Sequence, residues 1–379
     1  MKRTAILLFL CCMLLPHHSI AQSFGVQKEL PVDLDVIKSE LTFPEAWGVS
    51  PQKNFGKWRK QARARVLECL LTPPTAVDFD YRTIAVEQRD GYRAEKIELN
   101  ISKGNRIPAY LLIPDGDGPF PAVAVLHDHG AKFTIGKEKN VRPFAGDTAK
   151  LSESEKWVEK CYEGIYTADF LARNGYVALA IDALFWGDRG RKEGSKYDTQ
   201  QALSANLLQL GRSWCGVITY DDMRSVEFLA TLPFVDPEAI GCVGFSMGAH
   251  RAWMLSAVTD RVKAAAAICW MNTTHTLMSP ELKCKGHSAY SMIVPGLRNY
   301  LDYPHTASIA CPKPMLFING RYDKLFPVKG VQEAYDIMHQ VWESRKADDK
   351  LVTHFYDTPH TFNREMHDEV LRFLDKYLK

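Results

Sequence analysis

The sequence predicts an α/β fold: a mostly parallel central sheet with helices on both faces. Three observations carry this. Short runs such as residues 122–126 are apolar at every position, as expected of strands covered on both faces. From Pro121 onward these runs alternate with segments of helical period, which implies βαβ units with right-handed crossovers. Between the apolar run 239–243 and the helix-like run 249–255 lies Gly244-Phe245-Ser246-Met247-Gly248. A chain that passes so abruptly from strand to helix needs residues without a Cβ on either side of the turn.

Residues 1–21 have the pattern of a secretory signal. Lys2 and Arg3 start it, residues 5–15 are apolar, and Ser19-Ile20-Ala21 is a small-residue cleavage site. Cleavage after Ala21 and a secreted or periplasmic destination are expected. A lipid anchor on Cys11 or Cys12 ranks second, because Phe9 and Leu10 are not the small residues that precede a lipidated cysteine. Residues 22–90 form an N-terminal extension expected to pack on the main domain, with a helix over 55–71 and a strand over 82–86. Residues 91–379 form the main domain. Its strands are expected at 92–101, 107–113, 122–126, 177–181, 240–244, 262–269, 314–319 and 351–356. The turn formers Asp90-Gly91 and Lys103-Gly104-Asn105 mark antiparallel hairpins at its start. Helices are expected at 162–174, 217–231, directly after Ser246, and at 328–342 and 364–378. Residues 271–312 break the rhythm with Ser279-Pro280, Pro295-Gly296 and Tyr303-Pro304, and are expected to cover the site.

Loss of residues 1–21 removes two cations and no acid, leaving 45 basic and 45 acidic residues. A neutral chain has no bulk attraction to nucleic acid or to an anionic membrane, so any ligand charge must be met locally. No segment beyond the signal is long and apolar enough to span a bilayer. Seven cysteines remain (Cys69, Cys161, Cys215, Cys242, Cys269, Cys284, Cys311), an odd number without a C-x-x-C pair. Most are expected to pack as small hydrophobes.

A serine hydroxyl needs a base to take its proton, and the base needs a carboxylate to fix its tautomer. Ser246 is followed by Asp323, 77 residues on in Gly320-Arg321-Tyr322-Asp323, and by His360, 37 residues further in Pro359-His360. Each falls in a loop directly after an expected strand, where open α/β sheets place their sites. A turn serine, a helix-capping Asp323 and a surface His360 are the plain alternatives. Asp302 and Asp357 are the fallback acids; His354 and His367, in a strand and a helix, fit less well as base. Two backbone donors are needed for an oxyanion. Met247 N–H supplies one, and the loop after strand 122–126 the other, with His129 favoured and Gly130 next. His127-x-His129 offers two imidazoles but no third ligand at a persuasive spacing, so neither metal nor cofactor is expected. Arg189 or Arg191 in the loop after strand 177–181 is placed either to bind a substrate carboxylate or to form an internal ion pair. Arg251, in the first turns after Ser246, either reaches the pocket or braces the turn against an acid. Trp270 and Asn272 end a strand at the site's edge, where an exposed Trp suits a sugar ring and a buried one suits the core.

At these residues the chain resembles the α/β-hydrolase superfamily. The closer likeness is to its dienelactone-hydrolase-like and acetyl-xylan-esterase-like branch of secreted bacterial carbohydrate esterases. The resemblance runs from Tyr92 to the C-terminus and is carried by His127-Asp128-His129-Gly130, Trp186-Gly187-Asp188-Arg189-Gly190, Gly-Phe-Ser246-Met-Gly, Gly-Arg-Tyr-Asp323 and Pro-His360. It implies an α/β-hydrolase fold and a serine esterase that removes acetyl or methyl groups from a polysaccharide or oligosaccharide ester. Dienelactone hydrolases proper use a cysteine nucleophile, and Ser246 counts against that activity. A prolyl-oligopeptidase-like peptidase is one rival, although the N-terminal 90 residues are too few for the propeller such enzymes carry. A non-catalytic binding protein on the same fold is the other.

Overall fold

The computed structural model describes residues 32–191, 197–279, 282 and 289–379. The expected signal peptide lies outside these, as do Cys284 and part of the expected cover segment. Nine strands form one sheet: β1 Arg82–Arg89, β2 Tyr92–Ser102, β3 Asn105–Pro114, β4 Phe120–Leu126, β5 Val177–Ile181, β6 Val235–Phe245, β7 Ala264–Ile268, β8 Met315–Gly320 and β9 Leu351–Tyr356. Their spatial order is β1-β2-β3-β5-β4-β6-β7-β8-β9. The first three strands and the β3–β5 pair are antiparallel, and every pair from β5–β4 to β8–β9 is parallel. The helices are α1 Val32–Ser39, α2 Phe55–Cys69, α3 Thr148–Tyr162, α4 Thr167–Arg173, α5 Tyr197–Gln209, α6 Trp214–Leu229, α7 Met247–Val258, α8 Thr274–Leu277, α9 Tyr303–Ala307, α10 Val328–Glu343 and α11 Arg364–Leu378.

The continuous apolar runs are explained by two cores, one on each face. In β4, Ala122, Ala124 and Leu126 join the core that also holds Trp58 of α2, Trp214 and Val226 of α6, Trp253 of α7 and Met338 of α10. The intervening Val123 and Val125 join the opposite core with Val158 of α3, Leu171 of α4 and Phe373 of α11. Side chains alternate across a strand, so a strand covered twice must be apolar at each position. Residues 32–90 contribute an edge strand to this same sheet, and α2 packs against α7.

Of the expected helix at 162–174 the structure forms 167–173 as α4, and a further helix, α3, precedes it and ends at Tyr162. Glu163 and Gly164 both take left-handed backbone conformations (φ 54° and 75°), and this break separates α3 from α4. Helix α3 carries few apolar residues and α5 carries no clear stripe, so neither stood out by periodicity. No helix among the described residues is long and apolar enough to cross a membrane.

Three histidines sit inside these cores. His127, His250 and His367 are at most 2 % exposed. Burial lowers the pKa of all three, to about 3 for His250 and His367. Below the ordinary imidazole value near 6.5 the unfolded chain takes up protons that the folded chain refuses, so stability falls as pH drops. The loss is of the order of 2 kcal/mol for each such histidine at pH 5. The thermal midpoint is therefore expected to fall between pH 7 and pH 5, and replacing His250 by Phe should flatten part of that slope. A midpoint that holds or rises on acidification would contradict this account.

Candidate active site

Strand β6 delivers Ser246 and α7 begins at the next residue. Ser246 has φ 56° and ψ −121°, a conformation that L-residues avoid unless the surroundings enforce it. Its N–H donates to Ile268 O (2.8 Å), and its carbonyl accepts from Ala249 and His250 N–H (2.8 and 3.1 Å). The flanking glycines are steric necessities. A Cβ on Gly244 would run into the Gly248 backbone, and one on Gly248 into the Leu126 carbonyl of β4.

Asp323 follows β8, and His360 follows β9. The two loops are clasped by Arg321 N–H to Tyr356 O (2.8 Å) and Tyr322 N–H to Thr358 O (3.0 Å). His360 Nδ1 donates to Asp323 Oδ2 at 2.6 Å, and Asp323 Oδ1 accepts Leu325 N–H at 2.8 Å. The Asp323 carboxylate has no exposed surface, while the His360 side chain is 22 % exposed. A carboxylate on Nδ1 selects the tautomer that leaves Nε2 free to accept a proton. The imidazole lies between Phe245 (centroids 4.7 Å apart) and Phe326 (5.9 Å), which restrict its rotation. Ser246 and His360 line one cavity of about 390 Å³. Asp302 instead caps α9, and Asp357 pairs with Arg321 at 3.0 Å; His354 meets Glu369 and His367 is buried against Phe362.

His129 and Gly130 line the same cavity as Ser246, the residue that precedes α7. The N–H groups of Met247, His129 and Gly130 have no protein acceptor among the described residues. His127 and His129 do not form a ligand pair: His127 Nδ1 donates to Asp128 O, its Nε2 accepts Ala183 N–H, and His129 Nδ1 accepts Ala131 N–H. Cys269 Sγ lies close to the Asp323 and His360 side-chain atoms; burial raises its thiol pKa, and it donates to Thr361 O at 3.5 Å.

The cavity does not include three of the four expected substrate contacts. The Arg189 side chain is 5 % exposed and pairs with Asp221 at 2.8 Å, the internal ion pair of the two expectations. Arg251 is held by both Asp222 oxygens (2.9 and 2.7 Å) and reaches His127 O at 3.5 Å, so it braces the turn. Asn272 is fully buried and donates to Pro327 O at 3.3 Å. Trp270 does line the cavity but is only 1 % exposed, its ring packed on Tyr303 and Phe326, so the core reading holds for it. Sequence reasoning missed Trp157, Lys160 and Phe326, which also line the cavity, whereas Met292 comes from the segment expected to cover the site. Lys160 and Trp157 belong to the unexpected helix α3, and no local pattern marks them.

A parallel sheet that carries a strained serine at one strand end, and an acid and a histidine at two later ones, defines the α/β-hydrolase class. The chain belongs to the Abhydrolase family, whose profile matches residues 22–369. It is 26% identical over 321 residues to the "Putative hydrolase YtaP" of Bacillus subtilis (strain 168), covering 84% of this chain and 100% of that one. Its fold is similar to the crystal structure of a "putative acetyl xylan esterase" from Bacteroides fragilis NCTC 9343. There the TM-score is 0.69 at 20% identity, over 86% of this chain and 81% of the other. It is also similar to the "Methylesterase BT1017", with TM-score 0.59 and 17% identity over 92% and 69% of the two chains.

Replacing Arg251 by Met leaves Asp222 buried without its partner and is expected to lose about 3–5 kcal/mol of stability. The KM values of a neutral and an anionic ester of the same alcohol should then shift together. A shift confined to the anionic ester would return Arg251 to a substrate-binding role.

Proposed function

We propose that the protein is a secreted serine carboxylic-ester hydrolase that removes acetyl or methyl ester groups from a plant-type polysaccharide such as xylan or pectin. The observation that carries this reading is the 2.6 Å bond from His360 Nδ1 to the buried Asp323, with His360 and Ser246 facing one cavity. His360 Nε2 takes the Ser246 proton as Oγ attacks the ester carbonyl carbon. The tetrahedral oxyanion is held by Met247 N–H and by the His129–Gly130 loop. The C–O bond to the alcohol then breaks, and the alcohol leaves with the proton from His360. Water, deprotonated by His360, attacks the acyl-enzyme, and Ser246 recovers its proton as the acid departs. Asp323 orients the imidazole and stabilises its charged form.

Export is supported by the pattern of residues 1–21 and by a family match that starts at residue 22. The fold neighbours named as acetyl xylan esterase and methylesterase support an ester substrate of this class. With Arg189 and Arg251 both engaged internally, their guanidinium groups lend no support to an anionic subsite. Against the peptidase rival, residues 32–90 supply helices and an edge strand rather than a propeller.

Replacing Ser246 by Ala should lower aryl-acetate turnover by at least about 10⁴-fold with the thermal midpoint kept, and should abolish labelling by a fluorophosphonate. Retained turnover would overturn the serine mechanism. Incubation with acetylated xylan and with methyl-esterified pectin should release acetate from the first or methanol from the second. Release of neither, together with cleavage of proline-containing peptides, would favour the peptidase.

A further inference from the structure

The loop after β4 has a feature that the triad does not explain: its carbonyl oxygens are gathered onto a buried cation. Lys139 has no exposed surface, yet it lies in a short turn (Lys137–Lys139) of three consecutive charged residues. Its Nζ donates to Asp128 O and to His129 O, both at 3.0 Å. Asp128 O also accepts from His127 Nδ1 (2.8 Å), and His129 O from Trp186 Nε1 (3.1 Å). A trans peptide is planar with its C=O and N–H pointing in opposite directions. Two adjacent carbonyls turned onto Lys139 therefore aim the next two N–H groups, those of His129 and Gly130, the other way. Both residues line the Ser246 cavity, and neither N–H has an acceptor among the described residues. The left-handed backbone of Gly130 and Ala131 (φ 57° and 51°) completes this turn. A Cβ on Gly130 would strike the Trp157 ring and the Asp128 carboxylate.

We propose that Lys139 is a positioning residue for the oxyanion hole. Its ammonium holds the Asp128 and His129 carbonyls and so presents the His129 and Gly130 N–H groups to the developing oxyanion. The proposal rests on the ester-hydrolase reading above. A cation bound to a peptide oxygen draws electron density from that peptide and makes its N–H a stronger donor. A lysine here therefore does more than a neutral group of the same shape. The ammonium is retained in the interior by Asp128, whose Oδ1 lies 3.5 Å away and whose Oδ2 accepts from Tyr162 OH (2.6 Å) and Trp157 Nε1 (3.1 Å).

The test compares the full chain with Lys139→Met and with the double variant Asp128→Asn/Lys139→Met, which removes both buried charges and guards against misfolding of the single one. For an aryl acetate, kcat is expected to fall about 10²–10³-fold in both variants while KM changes little. Affinity for an aryl trifluoromethyl ketone, whose serine adduct carries an oxyanion, should fall by a similar factor. Affinity for the aryl alcohol product should stay unchanged. A folded double variant with wild-type kcat and ketone affinity would overturn the role of Lys139 and leave the esterase reading intact. A wild-type protein that turns over no ester would instead overturn that reading, and this inference with it.

Discussion

The active-site edge of this molecule is organised by charges that have been taken out of water. Lys137, Glu138 and Lys139 follow one another in sequence and have no exposed surface. Isolated, each would be prohibitively costly to bury, so each demands a partner, and the partners come from different loops. Lys137 Nζ meets Asp182 at 2.7 Å, Asp188 at 2.6 Å and Glu138 at 3.0 Å. Burial alone would lower its pKa, but these three carboxylates outweigh burial and hold it well above the usual lysine value. Lys150 of α3 closes the set on Glu138 at 2.9 Å. The loops after β4 and β5 and the start of α3 are thereby tied into one rigid surround, and Lys139 extends it to the cavity.

The other half of the site depends on sterics rather than charge. Ser246 can hold its left-handed backbone only because β4 and α7 come together through Gly248 and because Gly244 leaves room for that helix. The serine, the Asp323–His360 pair and the N–H groups of the loop after β4 are thus anchored separately. Tight strand pairing sets the first, clasped loops the second, and a buried ammonium the third. They meet because parallel strands all end on the same edge of a sheet.

Much of this was legible in the residues. Strand β9 and helix α11 match their expected bounds, since a run rich in β-branched and aromatic residues and a strongly amphipathic helix announce themselves locally. Ser246, Asp323 and His360 each fell in a loop behind an expected strand, and the structure gathers the histidine with the acid and with the serine's cavity. The failures share a cause. Helix α3 was missed because its mostly polar sequence hides a short buried stripe, and with it went Trp157 and Lys160. Arg189 and Arg251 admitted two readings because the sequence does not say which carboxylate lies nearby; Asp221 and Asp222, both on α6, turned out to be those partners. The Lys-Glu-Lys run at 137–139 resembles a solvated surface turn until the fold surrounds it with acids.

Sequence alone determined the α/β alternation, the chain order of the serine, acid and histidine, and the strand-to-helix turn that only glycines permit. These depend on periodicity and on local backbone sterics, which neighbouring residues encode. Tertiary structure decided which charges are buried, which arginines face inward, and which way the peptide groups around the cavity point. Those properties belong to pairs of groups distant in the chain, and a burial or pairing energy has no value until both members of the pair are in place.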